Sequence, residues 1–127
     1  MRGLEGKVAI VTGAGSGIGR AIALRLAEEG MSLGILDLNA AAAAATSSLI
    51  VDSGGRAHSE NCDITDHAAV ERAVSSIEDK LGPVYTLVNN AGWDTPTQFL
   101  KTTPDFWQKI IAINYLGPVQ VTHAVVK

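Results

Sequence analysis

The feature that most restricts the fold of this chain is an apolar run that ends abruptly in glycines. Val8-Ala9-Ile10-Val11-Thr12 passes directly into Gly13-Ala14-Gly15-Ser16-Gly17-Ile18-Gly19. An apolar run without alternation suits a strand buried on both faces, as in a parallel sheet. Gly17 to Gly30 then has a helical pattern, with Ile18, Ile22, Leu26 and small alanines expected to face inward and Gly30 to stop the helix. A glycine-rich turn between strand and helix leaves backbone without Cβ where a pyrophosphate must approach, and aims helix N-terminal amides at the anion. The spacing Gly-x-x-x-Gly-x-Gly differs from the commoner Gly-x-Gly-x-x-Gly. It is not a P-loop, because no Lys-Ser/Thr pair follows the glycines. Its place between strand and helix points to dinucleotide binding, with an ordinary turn as the alternative.

The same rhythm continues along the chain. Ser32 to Leu36 is a second apolar run, with Asp37 at its C-terminal end. Asn39 is placed to cap a helix that carries the alanine run Ala40 to Ala45 and ends by Gly54-Gly55. Ala57 to Cys62 is mostly polar and is assigned as a strand from the rhythm alone. Asp66 caps a helix with Val70, Val74, Ile77 and Leu81 on one face, and Val84 to Val88 is the fourth strand. Pro104 to Lys127 is expected to be one long final helix. Strands alternating with helices imply βαβ units with right-handed crossovers, hence an α/β, doubly wound parallel sheet. Such a sheet normally continues beyond a fourth strand, so residues 1–127 are expected to be one truncated domain.

Composition narrows the class further. Hydrophobic residues make up 46% and charged residues 18%, and the net charge is −3 with acids and bases interspersed. Nothing in this balance favours nucleic acid or a membrane surface as partner. The single cysteine, Cys62, suits a reducing cytoplasm and behaves as a small apolar residue. The N-terminus enters a strand directly and does not resemble a signal peptide. His58, His67 and His123 show no ligand spacing, so no metal site is expected.

Two residues carry local arguments about chemistry. Asp37 stands roughly 20 residues past the glycine loop, the distance expected for a carboxylate on a ribose 2′-hydroxyl. It would accept hydrogen bonds from the diol and repel a 2′-phosphate, and Ser16, Leu38 and Asn39 supply no cation for that phosphate. NAD is therefore expected over NADP, with a helix-capping aspartate as the alternative. Asn114 lies four residues before Pro118, which has no N–H and cannot pair with the Asn114 carbonyl. The carbonyl is left free for water, and the helix should deviate there. The alternative is a packing irregularity around an asparagine.

Thr-Gly-x-x-x-Gly-Ile-Gly at 12–19, Cys62-Asp63-Ile64, Asn89-Asn90-Ala91-Gly92 and Ile113-Asn114-x-x-Gly117 together resemble the motifs of the short-chain dehydrogenase/reductase family, over the whole chain. The resemblance implies a Rossmann-like NAD(P)-binding domain, the N-terminal part of a longer one. Gly13, Ser16, Gly17, Ile18 and Gly19 would then form the phosphate loop. Asp63 would bond the adenine amino group, and Ile64 would pack on the base. Asn90, Ala91 and Gly92 would line the ribose, and Asn114 would belong to the catalytic tetrad through its main-chain carbonyl. Tyr85 departs from the aspartate that the family usually has in the fourth strand. Trp93-Asp94 after the glycine resembles 2-hydroxycyclohexanecarboxyl-CoA dehydrogenases more narrowly.

The family's catalytic Ser and Tyr-x-x-x-Lys do not occur here, since Tyr85 and Tyr115 are followed four residues on by Asn89 and Val119. The expected activity is hydride transfer between NAD and a secondary alcohol or ketone, with the 127-residue chain inactive alone. A non-catalytic nucleotide-binding module and an inactive gene fragment are the alternatives. A full-length homo-oligomer, dimer or tetramer, is implied by the resemblance. Phe106, Trp107, Ile110, Ile111 and Val121 are expected around the surface of the last helix, more than one covering face can bury.

Overall fold

The computed structural model describes residues 2–127. Four strands, β1 (Val8–Thr12), β2 (Ser32–Asp37), β3 (Ala57–Asn61) and β4 (Val84–Val88), form one parallel sheet in the order β3-β2-β1-β4. The helices are α1 (Gly17–Glu28), α2 (Ala40–Asp52), α3 (His67–Leu81), α4 (Pro104–Ile111) and α5 (Gly117–Val126). This is the doubly wound, Rossmann-like α/β arrangement that the strand–helix rhythm predicts.

Successive residues of a strand point to opposite faces, so β1 feeds two cores at once. Val8 and Ile10 pack with Val70, Val74 and Ile77 of α3 and Val121 of α5. Ala9 and Val11 pack on the other face with Ala23 of α1 and with Ala43 and Ile50 of α2. Gly34 of β2 belongs to the first face: a Cβ there would lie 2.8 Å from Ile77, so its bare backbone makes room for that side chain.

The helix starts follow local chemistry. Asn39 accepts from the Ala42 N–H at 3.0 Å, and Asp66 accepts from the Ala69 N–H at 3.1 Å, each satisfying one orphan donor of a first turn. Thr103 does the same for α4, where Pro104 opens the helix.

Several expectations need correction. Ile18 does not face inward: it is 75% exposed, in the first turn of α1. The last helix does run without a gap over residues 104–126 and deviates near Asn114, as expected. A π-helical segment, Ala112–Leu116, separates α4 from α5, and a 3₁₀ turn at Phe99–Lys101 precedes them. Val121 is fully buried against the sheet, whereas Trp107 and Ile111 remain 44% and 53% exposed. The histidines are also less scattered than the sequence suggests. His67 and His123 bring their rings to 6.5 Å, and His67 lies 3.2 Å from Glu71, whose carboxylate also takes the Lys127 ammonium. No helix among the described residues is long and apolar enough to cross a membrane.

Candidate functional site

The chain winds from β1 outward to β3, then crosses back to place β4 on the other side of β1. The loops that leave β1 and β4 diverge at this switch point and open a crevice at the C-terminal ends of the strands. A cleft of about 660 Å³ lies there, within the range of small-molecule sites. Gly13, Ser16, Gly17, Ile18, Asp37, Asp63, Ile64, Asn90, Ala91 and Gly92 all line it. Of the residues read as cofactor-binding from the sequence, Gly19 alone lies outside it, buried under the loop.

The glycines serve different needs. Gly13 turns the chain with φ 63°, and a Cβ on it would come within 2.9 Å of the Ala91 backbone. Gly15 lies against Asp37 and Ala42, where a Cβ would approach the Asp37 carboxylate to 2.7 Å. At Gly19 a Cβ would collide with the Gly13 carbonyl and the Asn90 amide. The loops after β1 and β4 are tied directly: Thr12 Oγ1, buried, accepts from the Asn90 and Ala91 N–H groups at 3.0 Å each. The Asn90 amide also donates to the Gly13 carbonyl at 3.3 Å.

Asp37 has both carboxylate oxygens on backbone amides, Oδ2 on Gly15 and Oδ1 on Asn39, each at 2.8 Å. Each oxygen keeps lone-pair capacity for a further donor, so capping its own turn and receiving a diol are compatible. Asp63 is held in a turn by Thr65, whose N–H and hydroxyl both donate to Oδ1, at 2.9 and 2.7 Å. Ile64 is nearly buried beside Gly117, whose missing side chain admits it, and Gln120 holds its carbonyl at 2.8 Å. Cys62 closes the floor of this end, and burial pushes its thiol up to about 11.

Asn114 lies in the π-helical segment, where the Gly117 N–H reaches back to the Ala112 carbonyl. The helix therefore deviates where Pro118 withholds the i+4 donor from the Asn114 carbonyl. The Asn114 side chain makes a paired contact with the loop after β4: Oδ1 accepts from the Trp93 N–H at 2.9 Å and Nδ2 donates to the Trp93 carbonyl at 2.7 Å. A smaller hollow of about 570 Å³ opens beside it, lined by Asn90, Gly92, Trp93, Asp94, Ile110 and Asn114. It shares Asn90, Gly92 and Trp93 with the main cleft, so the two form adjoining compartments.

Sequence reasoning gave Thr12 and Ile113 only as motif members without a site role, and missed Lys109. A serine or threonine at a strand end beside glycines is a visible signal for the first, whereas Lys109 and Ile113 show only as one turn of a helix four residues apart. Lys109 lines the cleft and holds its ammonium 3.9 Å above the Trp93 ring, itself packed on Phe106 at 5.7 Å. Tyr85, the departure in β4, is exposed and lies under the Lys7 ammonium at 3.9 Å, away from the cleft.

The family model of short chain dehydrogenases matches residues 7–127. The chain is 43% identical over 103 residues to the 7alpha-hydroxysteroid dehydrogenase of Escherichia coli strain K12, covering 81% of this chain and 40% of that protein. It is 36% identical over 124 residues to the sorbitol dehydrogenase of Cereibacter sphaeroides, covering 98% and 47%. The solved structure of a hydroxysteroid dehydrogenase from Escherichia coli superposes with a TM-score of 0.91 at 36% identity, over 96% of this chain and 52% of that one. The chain thus spans about half the length of the relatives it matches.

Proposed function

Because the chain belongs to the short-chain dehydrogenase family, we propose that it is the nucleotide-holding, N-terminal part of an NAD-dependent oxidoreductase acting on a secondary alcohol or ketone. The observation that carries this reading is convergence. Residues from the ends of all four strands line one cleft at the switch point of the sheet.

The residues present fit a dinucleotide. The backbone is bare at Gly13, Gly15 and Gly19, where added Cβ atoms would strike neighbours, and α1 offers its first amides beside the cleft. Ser16 has no capping bond of its own, which leaves its hydroxyl for a ligand. Gly13, Ser16, Gly17 and Ile18, over the buried Gly19, would hold the pyrophosphate, and Asp37 the adenosine ribose. Asp63 and Ile64 would hold the adenine, with Asn90, Ala91 and Gly92 beside the sugar. A bound nicotinamide would supply the hydride donor or acceptor. The carboxylate of Asp37 disfavours a 2′-phosphate, and the nearby Arg20 guanidinium is engaged by the Gly15 carbonyl and Thr46.

Asn114 acts through its main chain in this reading. Its side chain fixes Trp93, and Pro118 leaves its carbonyl without the usual helical donor, so the carbonyl can hold a water that passes a proton. Trp93 and Asp94 line the adjoining hollow and face the substrate, and a hydroxyacyl-CoA is the narrower substrate class they suggest. The 127-residue chain itself binds the nucleotide without turning over alcohol, because Tyr85 and Tyr115 lack a lysine four residues on. The full-length protein is a cytoplasmic homo-oligomer in this reading.

Calorimetric titration tests the assignment. NADH should bind more tightly than NADPH, and Asp37→Ala combined with Leu38→Arg should reverse the order. Equal affinity of the unaltered chain for the two would overturn the role of Asp37.

A further inference from the structure

The glycine loop does not hold its shape alone; two side chains tie it to α2. Thr46, fully buried, donates its hydroxyl to the Ala14 carbonyl at 2.9 Å and accepts from Arg20 Nε at 3.0 Å. Arg20 Nη2 donates to the next carbonyl, that of Gly15, at 2.6 Å. Neither residue lines the cleft. We propose that Arg20 and Thr46 are positioning residues for the cofactor's pyrophosphate and act on it through the loop. This rests on the nucleotide reading of the cleft.

The Ala14 and Gly15 carbonyls are negative ends of dipoles, and either one turned into the cleft would repel a phosphate. Every peptide here is trans, so the N–H of each unit points opposite to its carbonyl. Holding the Gly15 carbonyl on Arg20 sends the Ser16 N–H the other way, toward the cleft that Ser16 lines. Holding the Ala14 carbonyl on Thr46 sends the Gly15 N–H onto Asp37 Oδ2, 2.8 Å away. One buried hydroxyl therefore registers the phosphate end of the cleft against the carboxylate at the ribose end. The Arg20 charge, fixed behind the loop, adds attraction for the anion.

NMR titrations of the full chain with NADH, ADP-ribose and adenosine test this, using Thr46→Val, Thr46→Ser, Arg20→Met and the double variant Thr46→Val/Arg20→Met. Thr46→Val should weaken NADH and ADP-ribose by about tenfold while adenosine, which has no phosphate, moves by less than about twofold. Thr46→Ser keeps the hydroxyl and should restore binding. The double variant should be little weaker than the worse single one, because both changes break one network. Equal losses for all three ligands, or additive losses, would show a structural role only and overturn the proposal. If Thr46→Val does not fold, Arg20→Met decides by the same ligand comparison, since Arg20 is only half-buried. An unaltered chain that binds neither NADH nor ADP-ribose overturns the cofactor reading and this proposal with it. Normal binding by the unaltered chain and by both single variants overturns this proposal alone.

Discussion

The region from β1 to β3 and the region from β4 to α5 have the same kinds of element and very different closure. Val8 to Thr12 are all buried, and Ser32 to Leu36 are buried along their whole length. Between Val84 and Leu116 no residue is buried, and Phe99, Leu100, Ile111 and Tyr115 stand largely in solvent. In the first region β1 lies between β2 and β4 and has helices over both faces, α5 among them, so its apolar side chains find partners from both regions. In the second, β4 pairs only with β1, and α4 makes its ring contacts with a loop, through Phe106 on Trp93. The glycine-loop side of the cleft thus rests on fully buried strands, whereas the surface beside Asn114 is tied to the loop after β4 by two hydrogen bonds. A solved relative about twice as long as this chain carries the same fold over its matching half.

Substitutions in the two regions should therefore differ in size. Gly19→Ala puts a methyl into the Gly13 carbonyl and the Asn90 amide, where the loop cannot retreat without leaving Thr12. It should cost about 3 kcal/mol in urea unfolding, at the upper end of overpacking, and abolish NADH binding. A stable, binding Gly19→Ala variant would break the comparison.

Asn114→Leu removes two hydrogen bonds to the Trp93 backbone from the less closed region. The expected loss is about 1–2 kcal/mol, with Trp fluorescence reporting a freed loop and NADH affinity changed by less than about threefold. A loss as large as that of Gly19→Ala would show that the second region is as tightly closed as the first.

A smaller effect is expected on acidification. Burial opposes the Glu60 carboxylate, but hydrogen bonds from Ser76 and His58 outweigh it and hold its pKa below the ordinary 4.5. A depressed folded-state pKa stabilises above the unfolded-state value, and that contribution is lost as pH falls through the folded-state value. Unfolding followed from pH 6 downward should lose stability below about 4.5, and Glu60→Gln should flatten that limb. An unchanged acid limb in Glu60→Gln would remove β3 and α3 from the electrostatic closure of the first region.

The smallest change belongs to Leu100→Ser. Leu100 is 92% exposed, so stability should stay within about 0.5 kcal/mol in the same urea titration. A larger loss would mean that the 3₁₀ turn at Phe99–Lys101 packs against something that its exposure hides.

The sequence by itself determined whatever depends on neighbours along the chain. Unbroken apolar runs specified the buried parallel strands β1 and β2, Asn39 and Asp66 specified helix starts, and the missing N–H of Pro118 specified the deviation at Asn114. Even β3, mostly polar, was legible from the alternation around it. The glycine positions were legible too, because only a bare backbone tolerates those turns and approaches. The tertiary structure decided what depends on where the chain returns. Ile18 has the right helical phase for the core, yet it stands exposed at the cleft. Val121 turned inward because β4 brings α5 back over the sheet. Thr46 meets Arg20 across 26 positions of sequence, and Asn114 meets Trp93 across 21. Periodicity and capping act within a few residues, whereas such meetings are set by the winding order of the sheet, which no local pattern encodes.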